Sequence, residues 1–309
     1  MGLKRIKKSI RTKLLRYGKR GERLGFYGEF GFFLVNWLPY LYFIKKSGHF
    51  LKTVGPVGSS PFYYFSDDHL ELDCPYPVTC LGSSECNDYI QKRIAEILLS
   101  PMGSYCPGLS YEGLAFQSNK IHSVNPDLNY IAPSILSSAD RPLFDELNGQ
   151  DYVVISNKGF INWGTDFGNY FNLEEIDKLI DLITGAGFKV VFNYYGDNDG
   201  QDVVAKLAAT QVKTDVSLGL FNAQDRYSID KSKRNQEQIY LLMHSKLIIS
   251  AQGGGSYLAS MFGRPNYIIQ RAGDDYNNIS LLANLYGSRV KMFYYIDSLV
   301  DAVRDCLLK

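Results

Sequence analysis

Two glycine-rich junctions carry the residues best placed for chemistry. In the first, Leu247-Ile248-Ile249-Ser250-Ala251-Gln252-Gly253-Gly254-Gly255-Ser256, an apolar run that reads as a strand passes through three glycines into a helical pattern. Glycine lets a backbone approach a ligand closely, and the first amides of a helix have no carbonyl to receive them, so an anion fits such a junction. A diphosphate is the natural guest, with Ser256 placed as helix cap and hydroxyl donor. The competing reading is a tight strand–helix turn in a crowded sheet. The run is not the Gly-x-Gly-x-x-Gly dinucleotide fingerprint, because no acidic residue ends a following strand at the expected distance. It is not a Walker loop either, since the chain has no Gly-Lys-Ser/Thr.

The second junction is Gly28-Glu29-Phe30-Gly31, after the short apolar run Leu24–Tyr27. A carboxylate between two glycines at the carboxyl end of a strand faces the edge where open α/β sheets bind ligands. Glu29 there is a candidate general base toward a hydroxyl; its alternative role is to complement the dipole of the following helix.

Metal chemistry finds little footing. The five cysteines (Cys74, Cys80, Cys86, Cys106, Cys306) form no Cys-x-x-Cys pair, and His49, His69, His122 and His244 show no zinc-binding spacing. We therefore expect reduced thiols, no bound metal and a cytoplasmic setting.

These junctions need elements to hold them. The 309 residues, 45% of them hydrophobic, suffice for two domains. From residue 151 onward strand and helix patterns alternate: strands at Tyr152–Ser156, Lys189–Tyr194, Val216–Leu220, Lys246–Ser250, Asn266–Gln270 and Val290–Tyr295, with helices at Leu173–Gly185, 202–209, Asn235–Met243, Ser256–Phe262, 279–285 and Ser298–Leu308. Such alternation predicts a parallel sheet covered on both faces. The first half is less regular. It reads as a helix over Phe32–Lys46, a strand near Phe50–Val54, an irregular stretch through Ser66-Asp67-Asp68-His69, a strand at 78–81 and a helix at 87–100. We divide the chain into an arm (1–20), an N-terminal α/β domain (21–150) and a C-terminal α/β domain (151–309).

The charge balance, 33 basic against 32 acidic residues, conceals an asymmetry. Residues 1–20 hold nine Lys/Arg and no acid, leaving 24 basic against 32 acidic residues in the remainder. An acidic body argues against a nucleic-acid-binding surface. In the arm, Leu3, Ile6, Ile10, Leu14 and Tyr17 fall on one helical face with basic residues around them. That pattern suits the interface of an anionic membrane, on the inner face of which the protein would be peripheral. A solvated arm, or one packed on the acidic body, is the alternative. No continuous apolar segment of signal-peptide type follows it.

Together the Gly-Glu-Phe-Gly loop, the apolar helix with Pro39 ending at Lys45-Lys46-Ser47-Gly48, the segment His244-Ser245-Lys246-Leu247-Ile248-Ile249-Ser250, the triple glycine, Tyr257-Leu258-Ala259 and Gly263-Arg264-Pro265 resemble the GT-B glycosyltransferases, in particular the bacterial lipopolysaccharide heptosyltransferases and related sugar transferases. The resemblance implies two Rossmann-like domains facing a cleft. It implies a nucleotide-sugar donor on the C-terminal domain, a glycan or lipid-linked acceptor on the N-terminal one, and no metal cofactor. The donor contacts it implies are Asn157, Lys158, Tyr194, Tyr195, Asn222, Gly253, Gly254, Gly255 and Ser256. One departure is visible: the heptosyltransferase pattern places a catalytic Asp directly after the loop, where this chain has Phe32, so Glu29 is the nearest candidate base. A pyruvyl transferase, a nucleotide-sugar epimerase and a non-catalytic sugar-nucleotide-binding protein are the competing readings.

Overall fold

The computed structural model describes residues 23–26, 31, 33–46, 48–73, 92, 147, 150–158, 169–195, 220–222, 231–271 and 288–308. The chain divides into two compact units, Met1–Ile135 and Leu136–Lys309.

In the first unit, β1 (Leu24–Gly25), β2 (Lys52–Pro56) and β3 (Asp68–Leu72) form a parallel sheet in the order β1-β2-β3. The connection from β1 to β2 contains a π-helical turn, Phe33–Trp37, that runs into helix α1 (Leu38–Lys46). Pro39, the second residue of α1, has no N–H to return to the preceding turn, and the π-helical turn lies directly before it. Phe33, Leu34, Trp37, Leu38, Leu41 and Ile44 are buried, and Trp37 Nε1 donates to the hydroxyl of buried Tyr63 (3.1 Å).

The stretch that reads as irregular in the sequence contains β3, paired along its length with β2 from Lys52↔Asp68 to Pro56↔Leu72. Its sequence, Asp-His-Leu-Glu-Leu, has no β-branched run, and its polar side chains take partners from neighbouring elements. Arg23 pairs with Asp68 (2.6 Å), and His69 lies between Thr53 and Ser59. At Gly55 a Cβ would fall 2.5 Å from Ser59 Oγ, so only glycine admits the Ser59 turn this close to β2. The strand expected at 78–81 lies outside the described residues, as does the helix at 87–100 apart from Lys92, which is helical.

The second unit holds six parallel strands: β4 (Tyr152–Lys158), β5 (Lys189–Tyr195), β6 (Leu220–Asn222), β7 (Leu247–Ala251), β8 (Asn266–Ile269) and β9 (Val290–Phe293). Their order is β6-β5-β4-β7-β8-β9. The chain thus winds outward from β4 in one direction, returns to β7 beside β4, and winds outward in the other. This is the strand order of dinucleotide-binding folds, with its switch point between β4 and β7.

Period-2 alternation divides the apolar residues between two faces. Val153, Ile155, Val190, Phe192, Leu247, Ile249 and Ile269 pack with helix α2 (Leu173–Gly185) and the last helix, α5 (Ile296–Leu307), through Ile176, Leu179, Ile183, Leu299, Val303 and Leu307. Helix α3 (Lys231–His244) and the short helix α4 (Gly254–Ala259) supply further buried apolar side chains, Ile239, Leu241, Leu242 and Leu258. Tyr152 ties β4 to α3 by donating its hydroxyl to the Leu241 carbonyl (2.8 Å). The helices expected at 202–209 and 279–285 lie outside the described residues.

Candidate functional site

Parallel strands place all their carboxyl ends on one edge, and in this strand order the ligand crevice opens there, beside the switch point. Asn157 and Lys158 close β4 and stand in register with Tyr194 and Tyr195 at the end of β5. Asn222 closes β6, and Gly253 follows β7. All the expected donor contacts therefore occupy the carboxyl edge of this one sheet.

Their roles at that edge differ. Asn157 is fully buried, and its side chain bonds the Phe171 backbone twice, accepting from its N–H and donating to its carbonyl (2.9 Å each). It thereby pins the chain as it returns from β4 toward α2. Gly253 has φ 149° and ψ −168°. That region is essentially closed to residues with a Cβ. Gly254 and Gly255 enter α4 with helical backbone, so the conformational demand of the triple glycine falls on its first member. Ser256 is fully buried and closes the turn on itself. Its hydroxyl accepts from Gly253 N–H (3.1 Å) and donates to the Gly253 carbonyl (2.7 Å).

A set of polar residues that the sequence did not single out braces this edge. Fully buried Asn266 accepts from Ser250 Oγ (2.8 Å) and donates to the Ser256 carbonyl (3.1 Å) and Ser260 Oγ (2.9 Å), joining β7, β8 and α4. Asn169 donates to the side chain of Gln252, directly before Gly253, and its own Oδ1 accepts from Arg271 N–H (2.6 Å). The Arg271 guanidinium donates to the Tyr170 carbonyl (2.6 Å) and pairs with Glu175. Glu175 also completes the capping box of α2, exchanging hydrogen bonds with Asn172 (3.0 Å each).

In the first unit, Glu29 and Phe32 lie outside the described residues, as does the arm. Asp67 and Asp68, the carboxylates at the start of β3, are each held by a basic side chain. Asp67 pairs with Lys45 and accepts from Leu51 N–H (2.7 Å), which holds its carboxyl below its ordinary pKa, while Asp68 pairs with Arg23. Among the described residues no group of three or more His, Cys, Asp or Glu is arranged to hold a metal ion. Nor is any of their helices long and apolar enough to cross a membrane.

No protein-family model and no curated protein sequence matches the chain. Solved structures do match. The ADP-heptose lipopolysaccharide heptosyltransferase II of E. coli aligns over 93% of this chain and 98% of its own, with TM-score 0.56 at 10% identity. E. coli heptosyltransferase WaaC, solved with ADP, aligns over 92% and 98%, with TM-score 0.54 at 12% identity. A family 9 glycosyl transferase from Veillonella parvula aligns over 93% and 88%, with TM-score 0.53 at 13% identity. The fold is that of these glycosyltransferases. The likeness covers more than nine-tenths of this chain in all three.

Proposed function

We propose that the protein is a glycosyltransferase that moves a sugar from a nucleotide-sugar donor to a glycan or lipid-linked acceptor. The observation that supports this most directly is the glycine-only turn at Gly253, placed beside the switch point of a parallel sheet in the dinucleotide-binding order. Such a turn lets the backbone lie against a diphosphate, and the crevice at the switch point takes the nucleoside. The fold shared with the two heptosyltransferases and the family 9 enzyme supports the same reading. A nucleoside diphosphate, the class of ligand in the WaaC structure, is the group we assign to this edge.

Transfer in this reading inverts the anomeric centre. The acceptor hydroxyl oxygen attacks the anomeric carbon from the face opposite the diphosphate, and its proton passes to the Glu29 carboxylate. The bond from the anomeric carbon to the diphosphate oxygen breaks, its electron pair leaving with the nucleoside diphosphate. The reading assigns no metal: backbone amides and basic side chains offset the leaving charge. The basic arm holds the enzyme on an anionic membrane surface, a role that vesicle co-sedimentation with and without residues 1–20 tests.

The activity is tested by offering a panel of ADP-, UDP- and GDP-sugars, with and without EDTA, and following release of nucleoside diphosphate. One donor class should turn over with EDTA present. Glu29→Gln should keep donor affinity within a few-fold and lower turnover by roughly 10²–10⁴, the usual worth of a general base. No turnover with any donor and no bound nucleotide would sink the reading, whereas normal turnover in Glu29→Gln would move the base elsewhere.

A further inference from the structure

The turn at Gly253 is flanked by two tethers. On its C-terminal side Ser256 closes it through two hydrogen bonds. On its N-terminal side Gln252 donates its backbone N–H to the Ile269 carbonyl (3.1 Å), and its side chain accepts from Asn169. Asn169 is fixed in turn by Arg271, whose N–H it accepts and whose guanidinium holds the adjacent Tyr170 carbonyl. Asn169 and Gln252 are 5% and 4% exposed, so their contact is a buried polar one, where an unmade hydrogen bond is costly. Asn169 lies four residues before the start of α2. The clasp therefore ties the approach to α2 to the residue immediately before the glycine turn.

We propose that Asn169 and Gln252 are positioning residues for nucleotide binding. By anchoring the start of the glycine turn, they hold Gly253 in its ligand-ready geometry before the ligand arrives. Three consecutive glycines have more backbone freedom to lose than any other triplet. Left untethered, the turn would be ordered only on binding, at the expense of affinity. The inference rests on the C-terminal unit being the nucleotide-binding one.

The hydrogen-bond polarity of the clasp gives a test. Gln252→Glu keeps an acceptor facing the Asn169 amide. Asn169→Asp keeps the oxygen that receives Arg271 N–H, and Gln252 can turn its amide to donate. Each single variant thus preserves one donor and one acceptor, while the double variant sets two carboxylates against each other. Affinities for ADP, UDP and GDP are measured by calorimetry on the full chain, alongside thermal unfolding. We expect each single variant to bind within about threefold of wild type. The double variant should bind at least tenfold more weakly than the product of the single effects, at temperatures where it stays folded. Simple repulsion between added charge and an anionic ligand would instead give effects that multiply, which would overturn the proposal. Should the double variant not fold, Gln252→Ala removes the tether without adding charge, and wild-type affinity there would overturn the proposal as well. Absence of nucleotide binding by the wild-type chain would count against the glycosyltransferase reading itself, a result separable from any of these.

Discussion

Gly253 carries the most demanding conformation at the candidate site. With φ 149° and ψ −168°, its replacement by alanine either strains the turn by about 1–3 kcal/mol or reshapes it. We expect Gly253→Ala to lower stability by that amount in chemical denaturation and to weaken nucleotide binding. Unchanged stability would mean that the turn is not held in this geometry. The glycine turn between strand and helix was legible in the sequence, but not which glycine bears the demand, because that depends on where α4 begins. A second residue-scale prediction concerns His69, whose Nδ1 lies 2.8 Å from Thr53 Oγ1, whose Nε2 lies 3.0 Å from Ser59 Oγ, and whose ring stacks on Tyr63. Its pKa is lowered to about 4, chiefly by burial and to a lesser degree by Arg23, against the opposing pull of Glu71 and Asp68. Between pH 6.5 and 4 the unfolded chain takes up a proton that the folded chain refuses, so stability falls with falling pH in that window. The slope from this one residue reaches about 1.4 kcal/mol per pH unit. Denaturant titrations at pH 7, 5.5 and 4.5 should show the slope in wild type and its loss in His69→Gln; equal slopes would remove His69 as the cause.

Among the elements, α2 was the most legible. Its expected span, Leu173–Gly185, is the observed one, because Asn172 and Glu175 mark the start and the apolar residues Ile176, Leu179 and Ile183 recur at helical spacing. Five strands of the second unit were legible for a related reason, as short apolar runs bounded by polar or glycine residues; the strand expected at 216–220 meets β6 (Leu220–Asn222) only at Leu220, the rest of its span lying outside the described residues. Strand β3 was not, since its polar side chains are matched by partners distant in sequence, and neither pattern nor propensity reports such matches. The same holds for Asn266, an inconspicuous polar residue at the head of a strand that proves to join three elements. Asn266→Leu should remove those bonds and leave buried Ser250 and Ser260 groups short of partners, lowering stability by about 2–4 kcal/mol. Because the braced elements lead into the glycine turn, nucleotide affinity should fall as well. A loss under 1 kcal/mol would show that α4 is held by apolar packing alone.

At the scale of the whole molecule, the sequence carried the fold class through two short junctions and an alternating pattern. The order of the six strands, which decides where a ligand can bind, was beyond it. Pairing between β4 and β7, nearly a hundred residues apart, is a non-local outcome of how the helices cover the sheet. That order makes the central claim specific, because it assigns the nucleotide to one edge of one unit. Amide hydrogen exchange on the full chain, with and without saturating ADP, UDP or GDP, tests this most directly. We predict that whichever nucleotide binds will protect the amides from Gln252 to Leu258 and those at the end of β4, leaving β1 to β3 unchanged. Protection confined to β1–β3, or binding by none of the three nucleotides, would contradict the account.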